Sequence, residues 1–347
     1  MLWFRLCFVL PLFLALSSPA DGEVVFSWAT IGNAGNAPDP TTGFGAVDYE
    51  YRISTTEVTN AQYVEFLNSV EQTSGLPGDD PSLYVSLMRQ ISSGGITWSG
   101  SPGNYTFATK PNMANKPVNY VSLFDAMRFV NWLHNGQGDG DTETGVYTIG
   151  SGLDAVRAPN ARFWIPDENE WYKAAYHHPA SQGGDLDDYW LYPTSSNTPP
   201  ETASSDSSGD IVNTGARVAN FDFAGLGNDA GGLTTVGTAG EASMSFYGTH
   251  DQGGNVWEWT ESLVSGPLGP CGRLRGGSLI REVESLQAIN PIQRSADSFH
   301  YEVGFRVASI PEPQSLSLLM LLSGSLFGCT WRLRMANCPR SKQEVLA

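Results

Sequence analysis

The stretch that most constrains the fold of this chain is residues 181–240, where Gly, Ser, Asp and Thr dominate and apolar residues show little periodicity. An irregular region of this length is uncommon inside a compact domain unless other contacts tie it down. The whole chain shares the tendency, with 38 Gly and 21 Pro in 347 residues and only 16% charged residues. This composition favours a loop-rich fold over a helical bundle.

Regular structure is predicted on both sides of that region. Thr59 is expected to cap a helix that follows a short strand, and Ser122 to cap a second helix with Asp125 at its third position. A third helix is expected after Pro166, with acidic residues in the first turn, where the helix dipole favours them. The apolar face of the first helix is formed by Tyr63, Phe66 and Leu67. No linker or internal repeat interrupts 24–309, so a single domain is the simplest interpretation.

The net charge of −17 limits the classes of partner. Such a surface repels nucleic acid and anionic lipid, so neither is expected to bind it. It suits an exported protein and the binding of hard cations.

Both ends of the chain have the sequence pattern of a targeting signal. Residues 1–20 combine a cationic Arg5, an apolar stretch and a small-residue ending, which predicts a cleaved signal peptide; an N-terminal membrane anchor is the alternative. Near the C-terminus, Pro311, Glu312 and Pro313 precede an apolar run over 315–331 and a basic cluster. A run of this length is at the short limit for a membrane span.

This C-terminal order resembles the PEP-CTERM sorting signal of bacteria that export exopolysaccharide. The resemblance implies processing by an exosortase-type machinery, with membrane contact only through segment 311–334. The polar tail, 335–347, departs from the usual short arginine cluster.

Six blocks of the body, in this order, resemble one family. They are "TTEVTNAQYVEFLN", "PVNYVSLFDAMRFVNWL", "WIPDENEWYKAA", "GGNVWEWT", "LRGGS" and "GFRVA". Together they look like the formylglycine-generating-enzyme (sulfatase-modifying factor) domain, with the resemblance running over 24–309. It implies an α+β, loop-rich variant of the C-type-lectin fold, with a few helices around a small twisted sheet.

The resemblance also implies a structural calcium site in "DQGGNVWEWTE". Asp251 and Glu258 would supply side-chain oxygens, and Gly254 and Val256 main-chain carbonyls. Calcium takes six to eight oxygens, and a tight glycine turn lets carbonyls converge. The alternative is that Glu258 caps a turn or pairs with an arginine such as Arg275. The tryptophans beside Glu258 are expected to pack in the core.

A second calcium site is implied upstream, in "ANFDFAGLGNDAGG". Asn220 and Phe221 match the first half of the family's ligand set, and Asn228 or Asp229 with Ala230 lies near the second half. The alternative is an ordinary loop with Asn and Asp at its turns.

The family's chemistry oxidises a sulfatase cysteine with two active-site cysteines and copper(I). The cysteines follow the RGGS block at fixed spacing, here 275–278, and precede an Arg-Ser pair, here 294–295. Their positions are occupied by Arg281 and Leu286. Copper(I) prefers thiolate ligands, so copper is not expected. Cys271 lies outside this spacing and is predicted to be a small buried hydrophobic residue.

Three arginines in the last blocks, Arg275, Arg294 and Arg306, lie near the central cleft in the family. Burial in pairs with acids such as Asp167 or Glu170 is the simpler expectation.

The sequence therefore predicts an exported, non-catalytic module that binds a glycan, an exopolysaccharide or a surface protein at the cell envelope or in the extracellular matrix. Two alternatives stay open: an enzyme of unknown chemistry in the same cleft, and formylglycine generation itself. A cleft lined with aromatic and neutral polar groups would favour glycan binding.

Overall fold

The structure is a computed structural model that describes residues 23–70, 83–101, 104–150, 153, 155–222, 231–267 and 269–311. The chain forms two compact units, Met1–Ser309 and Ile310–Ala347. The signal peptide, the C-terminal segment beyond Pro311, and both Asn228 and Ala230 lie outside the described residues. Within the described ranges, no helix has the length and apolar character needed to cross a membrane.

The described residues form four short α-helices, of which the last two begin with side-chain caps. The four are α1 (Asn60–Val70), α2 (Leu87–Gln90), α3 (Leu123–His134) and α4 (Glu168–Tyr176). The three predicted helices are thereby confirmed. Ser122 with Asp125, and Asp167 with Glu170, form reciprocal capping boxes at the starts of α3 and α4. Short 3-10 helices occur at Ala180–Gln182, Glu241–Ser243 and Val283–Leu286.

Two four-stranded sheets form the frame. The first has the order β1-β2-β12-β5, from Trp28–Ile31, Tyr51–Ser54, Ala308–Ser309 and Phe163–Trp164. The second has the order β10-β9-β8-β11, from Ile292–Ser295, Gly269–Arg275, Trp257–Gly266 and Val303–Phe305. Because β11 and β12 are separated only by Arg306 and Val307, this segment joins the two sheets.

Two smaller pairs complete the strands. A hairpin joins β3 (Ile96–Ser101) to β4 (Asn104–Thr109), and β6 (Glu201–Thr202) pairs in parallel with β7 (Val218–Ala219). The small helix and sheet content, with long irregular connections, confirms the α+β, C-type-lectin-like fold class.

The main core lies between α1, α3 and the sheets. Phe66, Phe129 and Trp132 pack together there through ring contacts, and Phe305 of β11 packs edge-on against Phe129. Trp257 and Trp259 are both buried in the same cluster, as expected from the sequence. Burial of large aromatic side chains such as these dominates core energetics.

The irregular region 181–240 is held by its own small core and by one buried lysine. Ala203, Ile211, Val218 and Ala239 form a separate apolar cluster. Lys116 is buried, and its Nζ donates to Ser208 O at 2.6 Å and also to Thr235 Oγ1. Burial lowers the pKa of Lys116. These contacts fix loop segments that have no regular hydrogen bonding of their own.

Candidate functional site

Glu258 lies in the middle of β8, fully buried, and its carboxylate is bound by an arginine. Arg306 Nε donates to Oε2 at 2.5 Å and Nη2 donates to Oε1 at 2.7 Å. Trp171 Nε1 of α4 also donates to Oε2 at 2.7 Å. Arg275, directly across from Glu258 in the sheet, instead binds Glu168 at 2.7 Å. Glu258 therefore pairs with an arginine, which was the alternative to a calcium site. Its partner is Arg306 and not Arg275.

The turn before Glu258 requires glycine at position 254. Gly254 has φ +88°, and a Cβ there would lie 2.3 Å from the carbonyl oxygen of Asn220, so only glycine fits. Asp251 also has positive φ, and its Oδ2 accepts from Gly237 N at 2.5 Å. Burial raises the pKa of the Asp251 carboxyl. Val256 is fully buried.

Glu57 belongs to the same group and was not singled out from the sequence. It is buried, its Oε2 has no hydrogen-bond partner among the described residues, and its Oε1 accepts from Asn255 Nδ2 at 3.3 Å. Burial, and then the charges of Asp251 and Glu258, raises its pKa well above the usual value. Its only signal in the sequence is an isolated acid in the strand-to-helix turn of "TTEVTN".

Asn220 connects the second predicted calcium site to the first. Its Nδ2 donates to Gly232 O at 2.9 Å and to Asn255 Oδ1 at 3.2 Å, and Asn255 in turn reaches Glu57. Its Oδ1 is buried without a partner among the described residues. Phe221 directs its side chain into an apolar cluster with Leu286, so only its main chain is available to a ligand.

These residues supply some of the oxygen ligands that a cation needs, but not a full set. In the described ranges, no three His, Cys, Asp or Glu side chains are placed to hold a metal together, so a cation here would depend on amide and carbonyl oxygens. The unpartnered oxygens of Glu57 and Asn220, and the carboxylate of Asp251, suit calcium. Glu258 Oε2 already accepts two hydrogen bonds, so Glu258 would have to share Oε1 between Arg306 and the ion.

The two positions that carry cysteine in the resembled family have other roles here. Leu286 is fully buried and packs with Tyr192, Ala219 and Phe221. Arg281 is 42% exposed and binds Glu302 through Nε at 2.9 Å and Nη2 at 2.5 Å. Cys271, which was expected to be buried, is only partly buried, and it lies on β9 close to the connection between β8 and β9.

Glu302 collects several donors while its side chain is completely buried. Besides Arg281, Arg294 Nη2 donates to Oε1 at 2.7 Å and Ser278 Oγ donates to Oε2 at 2.7 Å. Burial alone would raise the pKa of this carboxyl, but the hydrogen bonds from Arg281 and Ser278 outweigh it and hold the pKa below its usual value. All three arginines pair with acids, as expected, but Asp167 and Glu170 were the wrong partners: Arg275, Arg294 and Arg306 bind Glu168, Glu302 and Glu258.

Asp167 and Glu170 bind a different arginine, Arg157. Its guanidinium lies 2.8 Å from Glu170, 3.5 Å from Asp167 and 2.7 Å from Glu261. Three carboxyls share this one cation. Burial is the main cause that raises the pKa of Glu261 to about 7 and that of Asp167 to about 6.

A pocket of about 520 Å³ opens beside Glu302. His300 lines it, and the ring Nδ1 of His300 lies 3.4 Å from Glu302 Oε1. Burial, then the charge of Arg294, lowers the pKa of His300. The other lining residues are Leu87, Ile91, Ser92, Ser93, Tyr120, Gly231, Leu279, Ile280, Phe299 and Tyr301. Its size is typical of small-molecule sites.

Several solved structures are similar to this chain, and of those named here CarF supports the fold. The crystal structure of CarF covers 83% of this chain and 99% of its own chain at 20% identity, with a TM-score of 0.53. The Treponema denticola variable protein 1 covers 85% of this chain and 99% of its own at 18% identity, with a TM-score of 0.48. PvdO from Pseudomonas aeruginosa is similar at 14% identity over 82% of this chain and 92% of its own, with a TM-score of 0.40. Comparison with curated proteins finds no match.

A family model settles the wider relationship. The sulfatase-modifying factor enzyme 1-like domain matches residues 31–310, which is most of the chain and includes every described site residue above. With the fold, the glycine turn at Gly254 and the RGGS block all in place, the chain belongs to the sulfatase-modifying factor enzyme 1-like domain family.

Proposed function

We propose that this protein is a non-catalytic binding module of its family. The observation that carries the proposal is the identity and placement of the residues at the two cysteine positions. Arg281 is held by Glu302 and Leu286 is packed in an apolar cluster. Neither offers a ligand to copper(I), because a guanidinium has no available lone pair and a leucine has only methyl groups at its end.

Cys271 does not replace the missing pair. It is the one free cysteine among the described residues, and it lies on β9, opposite Ser295 of β10 and Val264 of β8. A single thiol cannot form the two-thiolate copper site on which the family's oxidation depends.

The pocket beside Glu302 supports a binding role. It combines aromatic walls with a few hydroxyl groups, a composition common to small-molecule and glycan sites. We propose that a glycan, an exopolysaccharide or a surface protein is the partner of this module.

The experiment that tests the proposal is a peptide assay. The full-length protein, supplied with copper(I) and oxygen, should leave the cysteine of a CxPxR sulfatase peptide unchanged. Mass spectrometry of the peptide reads the outcome, with an active formylglycine-generating enzyme as the positive control. Conversion of the cysteine to formylglycine would overturn the proposal.

We further propose calcium as a structural ligand at Asp251, Gly254, Val256 and Glu258, joined by Asn220 and Phe221. The unpartnered buried oxygens of Asn220 and the nearby Glu57 support it. Buried polar groups without partners are costly, and a bound cation would relieve that cost.

Export to the cell envelope or matrix is a proposal that rests on the sequence of the two ends. Cleavage after residue 20 should remove the signal peptide. N-terminal sequencing of protein from the native cell decides the matter, since a mature chain that begins at Met1 contradicts it.

A further inference from the structure

The pocket beside Glu302 differs in charge from the rest of the molecule. The chain carries a net charge of −17, yet none of the described residues that line the pocket is acidic. Ile91, Ile280 and Phe299 at this site are among the exposed large hydrophobic residues, and Phe299 is 46% exposed. Apolar surface of this kind, gathered around a cavity, indicates a contact site for a ligand.

Two arginines lie next to the pocket, joined to it through His300 and Glu302. His300 lines the pocket and lies beside Glu302 Oε1, the same oxygen that Arg281 and Arg294 bind. Two guanidinium groups therefore face one carboxylate, and they are 42% and 27% exposed. Arg294 Nε is itself buried, so a ligand would contact the exposed part of each guanidinium. The arginines retain capacity to bind a second carboxylate, and guanidinium is the side chain best matched to that geometry.

Hydroxyl groups alternate with the apolar walls. Ser92 and Ser93 line the pocket together with the phenols of Tyr120 and Tyr301. A pyranose ring has the matching surface, since its C–H faces are apolar and its rim carries hydroxyls. The Tyr120 phenol already bonds to Ser93, but a ligand that is apolar throughout would take water away from the other hydroxyl groups, at a cost.

We infer that this pocket binds a carboxylate-bearing sugar, the uronic-acid residue of an oligosaccharide, with its ring against Phe299 and Tyr301 and its carboxylate toward Arg281 and Arg294. The inference rests on the proposed binding function and names its ligand class. Distant acidic residues oppose it weakly at physiological salt, because the Debye length there is about 8 Å. Short oligosaccharides are favoured over long polyanions, since a long chain would meet the acidic surface outside the pocket.

The test compares two sugars that differ only in charge. Trigalacturonate and its carboxyl-reduced neutral form share ring and linkage geometry, so the ratio of their dissociation constants isolates the carboxylates. We expect the full-length protein at physiological salt to bind trigalacturonate at least about tenfold more tightly, since hydrogen bonds to charged groups are worth that much. Isothermal titration calorimetry or ligand-observed NMR provides the measurement.

Two variants separate the contributions. Arg281→Gln should reduce the preference for the acidic sugar while Glu302 keeps Arg294 and Ser278. Phe299→Ala should weaken both sugars to a similar extent, because it removes the aromatic surface and no charge. Arg162→Gln removes a surface cation that contacts His134 and Phe163 instead, and should change neither affinity.

Three results would overturn the inference: no binding of either sugar at millimolar concentration, equal binding of both, or a preference that is unchanged in Arg281→Gln. Preference for the neutral sugar would also overturn it while leaving a neutral glycan as the partner. The peptide assay is read independently, so formylglycine formation would reject the non-catalytic function whatever the sugars do.

Discussion

Glu258 and Glu302 are both fully buried and both bound by arginine, yet the charge around them is opposite. Among the described residues, Arg306 is the one arginine that pairs with Glu258, and Glu57 and Asp251 add two further carboxyls to that group. Glu302 has two arginines, Arg281 and Arg294, both reached by solvent. The first group is closed and rich in acid, whereas the second is open and rich in base.

This difference separates a structural role from a binding role. Arg306 and Glu258 link the segment between β11 and β12 to the centre of β8, and Trp171 adds α4 to the same carboxylate. A change there disturbs both sheets. The Glu302 side chain links Ser278, Arg281 and Arg294 next to the pocket, where we propose that the two arginines meet a ligand.

The largest expected effect comes from breaking the closed pair. Arg306→Met removes the cation and leaves Glu258 buried without its partner, which should lower the free energy of unfolding by about 3–5 kcal/mol. Urea unfolding of the full-length protein measures it. Arg281→Gln is the matched change in the open group and should cost less than about 1 kcal/mol, because its guanidinium is partly solvated.

A double variant tests the reason for this loss. Arg306→Met with Glu258→Gln removes both charges and should recover part of the stability lost in Arg306→Met, because no unpaired carboxylate remains. If Arg306→Met and Arg281→Gln destabilise equally, the distinction between the closed and open groups is wrong.

The carboxyls around Arg157 should make the stability of the protein depend on pH. The carboxyl of Glu261 has a pKa raised from 4.5 to about 7, so the folded state binds this proton more tightly than the unfolded chain does. Stability should therefore be highest below the unfolded value and fall as the pH rises through 7. The free energy of unfolding should decrease by about 3 kcal/mol between pH 5 and pH 8 from this group. Asp167 and Glu57 act with the same sign.

Glu261→Gln should reduce this slope, measured by urea unfolding at each pH. Glu143→Gln is the control, because Glu143 is 52% exposed in its pair with Arg128 and should leave the slope unchanged. Glu302 has a lowered pKa and opposes the trend only below its usual value of 4.5, where protonation removes its pairing energy. A stability that increases from pH 5 to pH 8 would contradict the assignment.

Calcium binding should give the smallest of the three changes in stability, after the Arg306 variant and the change in pH. It acts on the closed group around Glu258. A ligand that binds only the native state stabilises it by about 2.7 kcal/mol at a hundredfold excess over its dissociation constant. Adding EGTA should lower the melting temperature, and calcium should restore it. Asp251→Asn should weaken the response while keeping the hydrogen bond from Gly237 N.

Glu258→Ala is unsuitable for that test, because it would also remove the partner of Arg306. Glu143→Gln again serves as a control on a solvated acid. Identical melting curves for metal-free protein with and without calcium would reject the calcium proposal.

Much of the frame could be predicted from local sequence. The caps at Ser122 and Asp167 use side chains within one helical turn, so short-range pattern is sufficient. The six blocks, taken in order, identified the family. A block can contain a turn that only one residue type can form, such as the turn at Gly254.

The pairing of buried charges could not be predicted in the same way. Several acids lie close together in sequence, and Asp167, Glu168 and Glu170 all sit within one turn of α4. Which of them meets Arg275 and which meets Arg157 depends on the side of the helix that each faces in three dimensions. Glu57 was missed for the same reason, since its neighbours Asp251 and Glu258 are distant in sequence.

The burial of Leu286 would make a cysteine at this position costly to introduce. A cysteine at this position would remove two methyl groups from the contact with Tyr192, Ala219 and Phe221 and leave a void. Truncating a buried leucine to alanine costs about 2–5 kcal/mol, and cysteine would recover only a part of that. A cysteine at Arg281 would also leave Glu302 with fewer donors. The side chains at both positions support the folded state, so a variant with cysteine at both should be less stable than the protein itself.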